Sequence, residues 1–308
     1  LVDSSQEPIR VICGPTAGGK TSTAVGFARI ADISIVSADS RQLYRGFDVG
    51  SAKPTVREQL AAPHFGVDVL DPTERASAAW WADHADRWID DIVADGRTPI
   101  VVGGTGLYLR ALFGALFEEP PMHAGDRAAI QASLSDHTTD ELRRWVGELD
   151  PARAHLGRTQ LFRAIEIALL TGRRVSDLHR ENVRAPRRRA RYLVVDPGPL
   201  LAHFITMRAS NMIGSGWLEE VRQLMRVVPE DAPAWNATGY RAIRETVEGR
   251  LTWQEAEARV VIETRQYAKR QRTWFRHQLA AEDVTRLNPQ EPDFAERAMA
   301  WWNGETTE

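Results

Sequence analysis

The strongest constraint on what this chain can fold into is Gly14-Pro15-Thr16-Ala17-Gly18-Gly19-Lys20-Thr21, which fits the phosphate-binding pattern GxxxxGK[ST]. Residues 9–13 before it (IRVIC) form an apolar run that reads as a strand, and residues 22–30 after it read as a helix. A strand that turns into a helix through such a loop commits the chain to an α/β unit. Glycines let the backbone curl until several N–H groups converge on one anion. The helix start adds partial positive charge, Lys20 adds a full charge, and the Thr21 hydroxyl can hold Mg²⁺. The loop therefore implies a bound polyphosphate. Taken alone it suggests ATP or GTP and phosphoryl transfer.

Further strand-like runs at residues 33–37, 66–70, 99–102 and 192–195 alternate with helical patterns such as 76–94 and 161–170. This alternation predicts an α/β fold, a P-loop NTPase-like parallel sheet flanked by helices. In such sheets ligands bind beyond the C-terminal ends of the strands. The pattern changes between Glu118 and Asp150, where Pro120-Pro121 breaks the chain and two short amphipathic helices follow. Thr138, with Glu141 three residues on, fits a capping box at the second of them. The expected organisation is a catalytic core of residues 1–117 and 151–284, a small helical insertion at 118–150, and a peripheral segment at 285–308. From Ile205 onward the chain reads as a helical C-terminal part.

No apolar run approaches the roughly 18 residues of a membrane span, and no signal peptide opens the chain. The single cysteine, Cys13, excludes an internal disulfide framework and any zinc site built on several cysteines. Its place in an apolar strand predicts a core residue. The expectation is a cytoplasmic protein with no membrane contact, monomeric by default. A net charge of −3 gives no global nucleic-acid signature, but the charge is unevenly spread. Residues 180–191 (RENVRAPRRRAR) hold six arginines against one glutamate, and residues 263–276 (ETRQYAKRQRTWFR) are also basic. Acidic residues concentrate at 83–95 and 282–296. Local basic surfaces on a near-neutral protein suit a selective nucleic-acid enzyme, and equally suit solvated arginine faces.

The second strand runs into Ser37-Ala38-Asp39-Ser40-Arg41-Gln42-Leu43-Tyr44. Asp39 there reads either as a helix N-cap or as a general base or metal-shell ligand facing the phosphates. The fourth strand ends in Gly103-Gly104-Thr105-Gly106, where a phosphoryl-transfer enzyme would carry a Walker-B acid. Those glycines fit a second anion cradle or a tight turn. A small kinase would have to take its acid from Asp39 or Asp71. In the basic helix, Arg265, Lys269, Arg272 and Arg276 recur on one broad face, with Tyr267, Trp274 and Phe275 available to pack or stack. Such a stripe suits a phosphate backbone or a plain solvated helix.

The strings GPTAGGKT, SADSRQLYRGFDVGSAKP, GGTGLYLRAL, RAIEIALLTGRRVSDL, ATGYRAI and TRQYAKRQRTWFR occur in this order. Together they resemble the tRNA dimethylallyltransferase family over about residues 11–276. The resemblance implies that the loop (Gly14, Ala17, Gly18, Gly19, Lys20, Thr21) and Thr105 bind the diphosphate of dimethylallyl diphosphate, with Mg²⁺ held at Thr21. It implies catalytic roles for Asp39 as proton acceptor, Thr16 near the reacting centre and Arg208 over the diphosphate. Contacts to the anticodon stem-loop of tRNA are implied for Gln42, Arg265, Gln266, Lys269, Arg270 and Arg272. The chain departs from the family pattern in a shortened segment, ARAHLGRTQLF, where Gln160 replaces an arginine. It also carries Gly198 and Phe204 upstream of Arg208, where arginine is more common, and its helical insertion is short. Other readings are an adenylate prenyltransferase, a small-molecule kinase, and a tRNA-binding protein that has lost catalysis.

Overall fold

A computed structural model of the chain describes residues 7–114, 116–117, 122–181, 183–184, 186–279 and 283–305. The apolar runs assemble into one parallel sheet of β1 (Ile9–Cys13), β2 (Ile33–Ser37), β3 (His64–Phe65), β4 (Thr98–Gly103), β7 (Ala190–Val195) and β8 (Val284–Leu287). Its order is β3-β2-β4-β1-β7-β8, so β1 lies between β4 and β7 with the phosphate loop at its end. Ile12, Ile35, Ile100, Val102, Leu193 and Val195 share one cluster with Ala24 and Phe27 of α1 (Lys20–Phe27). The strand residues that alternate with them, Val11, Val36, Val101 and Val194, are buried as well. Both faces of the sheet are therefore covered, as a parallel sheet requires.

The remaining connections of this unit are helical. The short α2 (Val56–Ala61) precedes β3, α3 (Ala78–Ala94) packs on β2 and β4, and α4 (Gly106–Phe113) follows β4 and packs on α3. Trp81 of α3 stacks on Tyr108 of α4 and donates its indole N–H to the Ser37 carbonyl at 3.0 Å. That bond ties α3 to the end of β2, where the site begins.

Two compact units emerge, and their boundary differs from the expected one. One unit runs from Gly114 to Pro186, not 118–150; the other comprises Val2–Phe113 and Arg187–Glu308. The smaller contains β5 (Leu116–Phe117), α5 (Ala124–Leu134), α6 (Thr139–Leu149), α7 (Arg158–Thr171), α8 (Val175–Glu181) and β6 (Val183–Arg184), with β5 and β6 antiparallel. Leu161, Ala164, Ile165 and Ile167 of α7 share a core with Leu134, Leu142 and Val146, so α7 belongs with the helices before it. The capping box is present: Glu141 accepts from the Thr138 N–H at 2.7 Å, and Thr138 accepts from the Glu141 N–H at 3.3 Å. Gln160 accepts from the Gly157 N–H at 3.1 Å, capping α7 where the family pattern carries an arginine. Glu118 and Pro120-Pro121, the expected start of the insertion, lie outside the described residues, as do Asn182 and Ala185 of the arginine run and Glu282 of the acidic one.

Two further expectations are corrected. The run 66–70 is not a strand; the ladder ends at Phe65, Gly66 turns at φ 75°, and Leu70 makes one isolated bridge to Tyr44. The segment 285–308 is not peripheral. Within it β8 extends the sheet beside β7, and α13 (Phe294–Asn303) buries Trp301 and Trp302, the latter stacked on Phe27 at 4.6 Å. Phe27, Trp301 and Trp302 share one core cluster with the strand residues, so α13 completes the cover of this face of the sheet.

Between β7 and β8 the chain is helical as expected, in α9 (Leu201–Gly214), α10 (Trp217–Val227), α11 (Tyr240–Val247) and α12 (Trp253–Gln278). None of the described helices is long and apolar enough to cross a membrane.

Candidate active site

The phosphate loop leaves β1 through three left-handed or strained residues, Gly14 (φ 144°), Ala17 (φ 60°) and Gly19 (φ 93°). A side chain at Gly14 would run into the Val195 carbonyl of the neighbouring strand, so this position admits only glycine. The Gly18 N–H and the Lys20 ammonium both donate to the Pro15 carbonyl, at 3.1 and 2.8 Å, which folds the lysine back over its own loop. Burial, with Arg208 nearby, lowers the Lys20 pKa to about 8 against the opposing pull of Asp39. A bound anion would relieve both effects. Cys13, directly beneath, is buried and its thiol is pushed up to about 12 by desolvation, which makes it an inert core residue.

Across from the loop, β2 ends in a turn rather than a helix. Asp39 accepts from the Arg41 N–H at 2.9 Å and closes that turn, so it is not a helix N-cap. Thr105 buttresses the same turn: its hydroxyl accepts from the Ser40 N–H at 3.1 Å, and its own N–H donates to the Ala38 carbonyl at 3.0 Å. Thr105, expected to contact the diphosphate, does not line the two cavities that Thr16, Asp39 and Arg208 share. The glycines around it are explained by close packing. A Cβ at Gly103 would overlap the Ala38 backbone, one at Gly104 the Gln271 amide, and one at Gly106 the Trp274 indole. These glycines let strand, turn and helix approach each other, and Gly103 also lines a cavity with Lys20 and Thr21.

Two cavities meet at this point. One is lined by Lys20, Thr21, Gln42 and His64 together with Thr16, Asp39 and Arg208. The second is lined by the same Thr16, Asp39 and Arg208, by Arg41 and Tyr267, and by an apolar wall that includes Met212, Trp217 and Val260. Thr16, Asp39 and Arg208 therefore form the shared wall between a cationic chamber and a largely apolar one. Arg208 comes from α9, and burial lowers its pKa while Asp39 and Glu58 favour its charge. A third, outer cavity of about 750 Å³ lies against Ala17, Gly19, Lys53, Phe204 and Arg208. Gln42 is held by the Ser37 hydroxyl (2.9 Å) and donates to the Ala52 carbonyl (3.1 Å), which fixes its place in the cationic chamber. Asp71 is elsewhere, closing an exposed turn with Thr73, so the only implied acid in the site is Asp39.

The residues 48–50 that follow the Asp39 turn are pinned from the C-terminal helices. Glu220 accepts from the Asp48 and Val49 N–H groups at 2.9 and 2.6 Å and from the Tyr240 hydroxyl at 2.7 Å. Gly50 lies so close to the Trp217 indole that any side chain there would overlap it. The apolar chamber is thus closed by contacts spanning about half the chain.

Helix α12 completes the site and corrects one expectation. Arg265, Gln266, Lys269, Arg270 and Arg276 are exposed, and among the described residues none of these cations is paired with a carboxylate. Arg272, expected on the same face, turns inward instead: Nε donates to Asp196 Oδ2 at 2.8 Å and Nη2 to the Gly198 carbonyl at 2.5 Å. It clamps the loop after β7 and is spent there. Tyr267 points into the apolar chamber, and burial with Asp39 nearby pushes its phenol up to about 12. The arginine run at 180–191 is largely neutralised. Arg188 pairs with Asp86 at 2.5 Å and Asp90 at 2.7 Å, Arg187 pairs with Asp83, and Arg180 with Asp177. The acidic run 83–95 supplies the partners of Arg187 and Arg188.

Sequence reasoning missed Arg41, Trp217 and above all Gln271. The buried residues Ala268, Gln271 and Phe275 recur at three- and four-residue spacing on α12, so a polar residue on the apolar face was the available signal.

The chain is similar to known proteins along most of its length. The family model IPP transferase matches residues 42–278, and a second, Isopentenyl transferase, matches residues 7–62. A tRNA dimethylallyltransferase of Myxococcus xanthus is 39% identical over 284 residues, covering 90% of this chain and 92% of its own length. Another from Gloeobacter violaceus is 40% identical over 273 residues, covering 87% and 89%. Among solved structures, the full-length tRNA isopentenylpyrophosphate transferase from Bacillus halodurans superposes with a TM-score of 0.68 at 30% identity, over 97% of this chain and 95% of that one. A eukaryotic dimethylallyltransferase shares the fold with a TM-score of 0.79 at 22% identity, over 98% of this chain and 81% of its own. With the first family model spanning most of its length and relatives near 40% identity over nearly all of it, the chain belongs to the IPP transferase family.

Proposed function

We propose that this chain is a prenyltransferase that moves a dimethylallyl group from dimethylallyl diphosphate to the exocyclic amine of the adenosine 3′ of the anticodon in tRNA. The observation that carries this reading is the shared wall of Thr16, Asp39 and Arg208 between a cationic and an apolar chamber. Diphosphate belongs in the first chamber, against Lys20 and the loop; the allylic carbon and the adenine belong at the wall. In the reaction the carbon–oxygen bond of the donor breaks and diphosphate leaves with the bonding electrons. The adenine nitrogen bonds to the allylic carbon and gives its proton to Asp39. Lys20 and Arg208 are placed to offset the charge that develops on the leaving group, where preorganised cations act most strongly. The apolar wall excludes water that would otherwise intercept the allylic cation.

Magnesium fits this site without a carboxylate cluster, because Mg²⁺ commonly takes one or two protein oxygens and completes its shell with phosphate and water. The Thr21 hydroxyl lines the cationic chamber and would hold the ion, with diphosphate oxygens and water completing the shell. Bound there, the ion would neutralise part of the diphosphate charge. The exposed cations of α12, Arg265, Lys269 and Arg270, supply a surface for the phosphate backbone of the anticodon stem-loop. The target base must leave its stack to reach Asp39.

The test is incubation of the protein with labelled dimethylallyl diphosphate and either unmodified tRNA or AMP, followed by nucleoside analysis. Prenylated adenosine next to the anticodon, with diphosphate released in equal amount, is the expected result. Label in AMP alone would move the assignment to an adenylate prenyltransferase. ATP consumption with no prenyl transfer would replace it with a kinase.

A further inference from the structure

Gln271 is a polar side chain only 5% exposed, on the otherwise apolar face of α12. Its carbonyl oxygen accepts the backbone N–H of Thr16 at 2.8 Å, in the middle of the phosphate loop. Its amide nitrogen donates to the Gly104 carbonyl at 2.9 Å, in the turn after β4. One side chain therefore staples two loops from different strands to a helix more than 160 residues later. The fit is tight: any Cβ at Gly104 would overlap the Gln271 amide, and one turn away Trp274 packs on Gly106 in the same manner. The Thr16 N–H, which a phosphate loop could otherwise turn toward its anion, is committed to Gln271. That bond fixes the backbone at the residue whose side chain lines both chambers.

We infer that Gln271 is a positioning residue for the phosphate loop: through Thr16 and Gly104 it sets the loop conformation that grips the leaving diphosphate. It touches neither donor nor acceptor in this assignment and acts through the Thr16 amide. The inference rests on the diphosphate reading of the loop given above. A neutral apolar replacement of similar length, Gln271→Met, leaves the Thr16 N–H and the Gly104 carbonyl unpaired in a dry interior, so the loop relaxes to satisfy them elsewhere.

The experiment measures equilibrium binding of inorganic diphosphate with Mg²⁺, and separately of an anticodon stem-loop RNA, to the wild-type chain and to Gln271→Met. The expected result is a loss of about tenfold in diphosphate affinity with RNA affinity unchanged within twofold, and in turnover a raised KM for the prenyl donor with the KM for tRNA unchanged. Diphosphate affinity within twofold of wild type overturns the inference. A parallel loss of RNA and diphosphate binding also overturns it, because that is what mere damage to α12 would do. If Gln271→Met does not fold, Gln271→Asn, which keeps a polar amide but withdraws it from both loops by one methylene, is measured in the same way against the same limits. A wild-type chain that binds diphosphate but prenylates nothing sinks the proposed function and leaves this inference standing. A wild-type chain that binds no diphosphate sinks both.

Discussion

The two arginine-rich segments, residues 180–191 and the C-terminal half of α12, are both strongly basic and differ in what lies against them. In the first, Arg187 and Arg188 turn onto the acidic face of α3 and are neutralised by Asp83, Asp86 and Asp90. In the second, Arg265, Lys269, Arg270 and Arg276 stand exposed with no carboxylate partner among the described residues, while Arg272 alone is drawn inward to Asp196. A charge run has no meaning until the surface opposite it is known. Where an acidic helix faces it, the run is structural; where solvent faces it, the run is free to meet a polyanion.

The comparison also implies that neither run performs chemistry, and the largest expected effect tests that. Asp39→Ala should lower turnover by about two to four orders of magnitude with diphosphate binding close to normal, the usual loss for a general base; an unchanged turnover would remove Asp39 from the mechanism. Next comes stability. Arg188→Ala removes the ion pair of Asp90, leaves Asp86 with its longer pair to Arg187, and should cost about 1 kcal/mol in denaturant unfolding, since both carboxylates are partly screened by solvent, with RNA affinity unchanged. A variant of normal stability that loses RNA would erase the contrast between the segments. The reverse pattern is expected on α12: the double change Lys269→Ala and Arg270→Ala should leave stability intact and reduce the salt slope of tRNA binding by about two, roughly one per lost phosphate contact.

The smallest effect is in the pH dependence. Lys20 has its pKa lowered to about 8 by burial, so its charge, and with it part of the grip on diphosphate, is lost as pH rises through that value. The folded state then binds fewer protons than the unfolded state between about 8 and the ordinary value of 10.5, so the burial cost of this group is present in full below 8 and is relieved as pH rises across that window. Lys20→Arg keeps its charge throughout. The ratio of wild-type to variant diphosphate affinity should fall by a few-fold between pH 7 and 9, and a flat ratio would show that Lys20 stays protonated.

What could be read in the sequence divides along the distance between cause and effect. The phosphate loop, the Thr138 cap and the alternation of strands and helices are local, so spacing and residue type revealed them. Arg272 was assigned to the wrong partner because helical periodicity gives a face but not what lies against it. The Gly103–Gly106 run left two readings open, since a glycine that accommodates a neighbour and a glycine that cradles an anion are spelled alike. Trp301 and Trp302 were read as peripheral because their stacking partner, Phe27, lies at the other end of the chain. The boundary of the helical unit was misplaced because α7 carries an apolar face that fits either neighbour, and only packing against Leu142 and Val146 decides.

The staple between Thr16 and Gln271 has a temporal consequence for biosynthesis. The residues it joins are separated by 255 positions, and at the roughly 5–20 residues per second of translation the loop emerges about 13–50 s before its holder exists. During that interval the loop is complete in sequence but lacks the Gln271 acceptor for its Thr16 N–H, and β1 still awaits β7 on one side. The loop therefore gains its staple only after nearly the whole chain has been made.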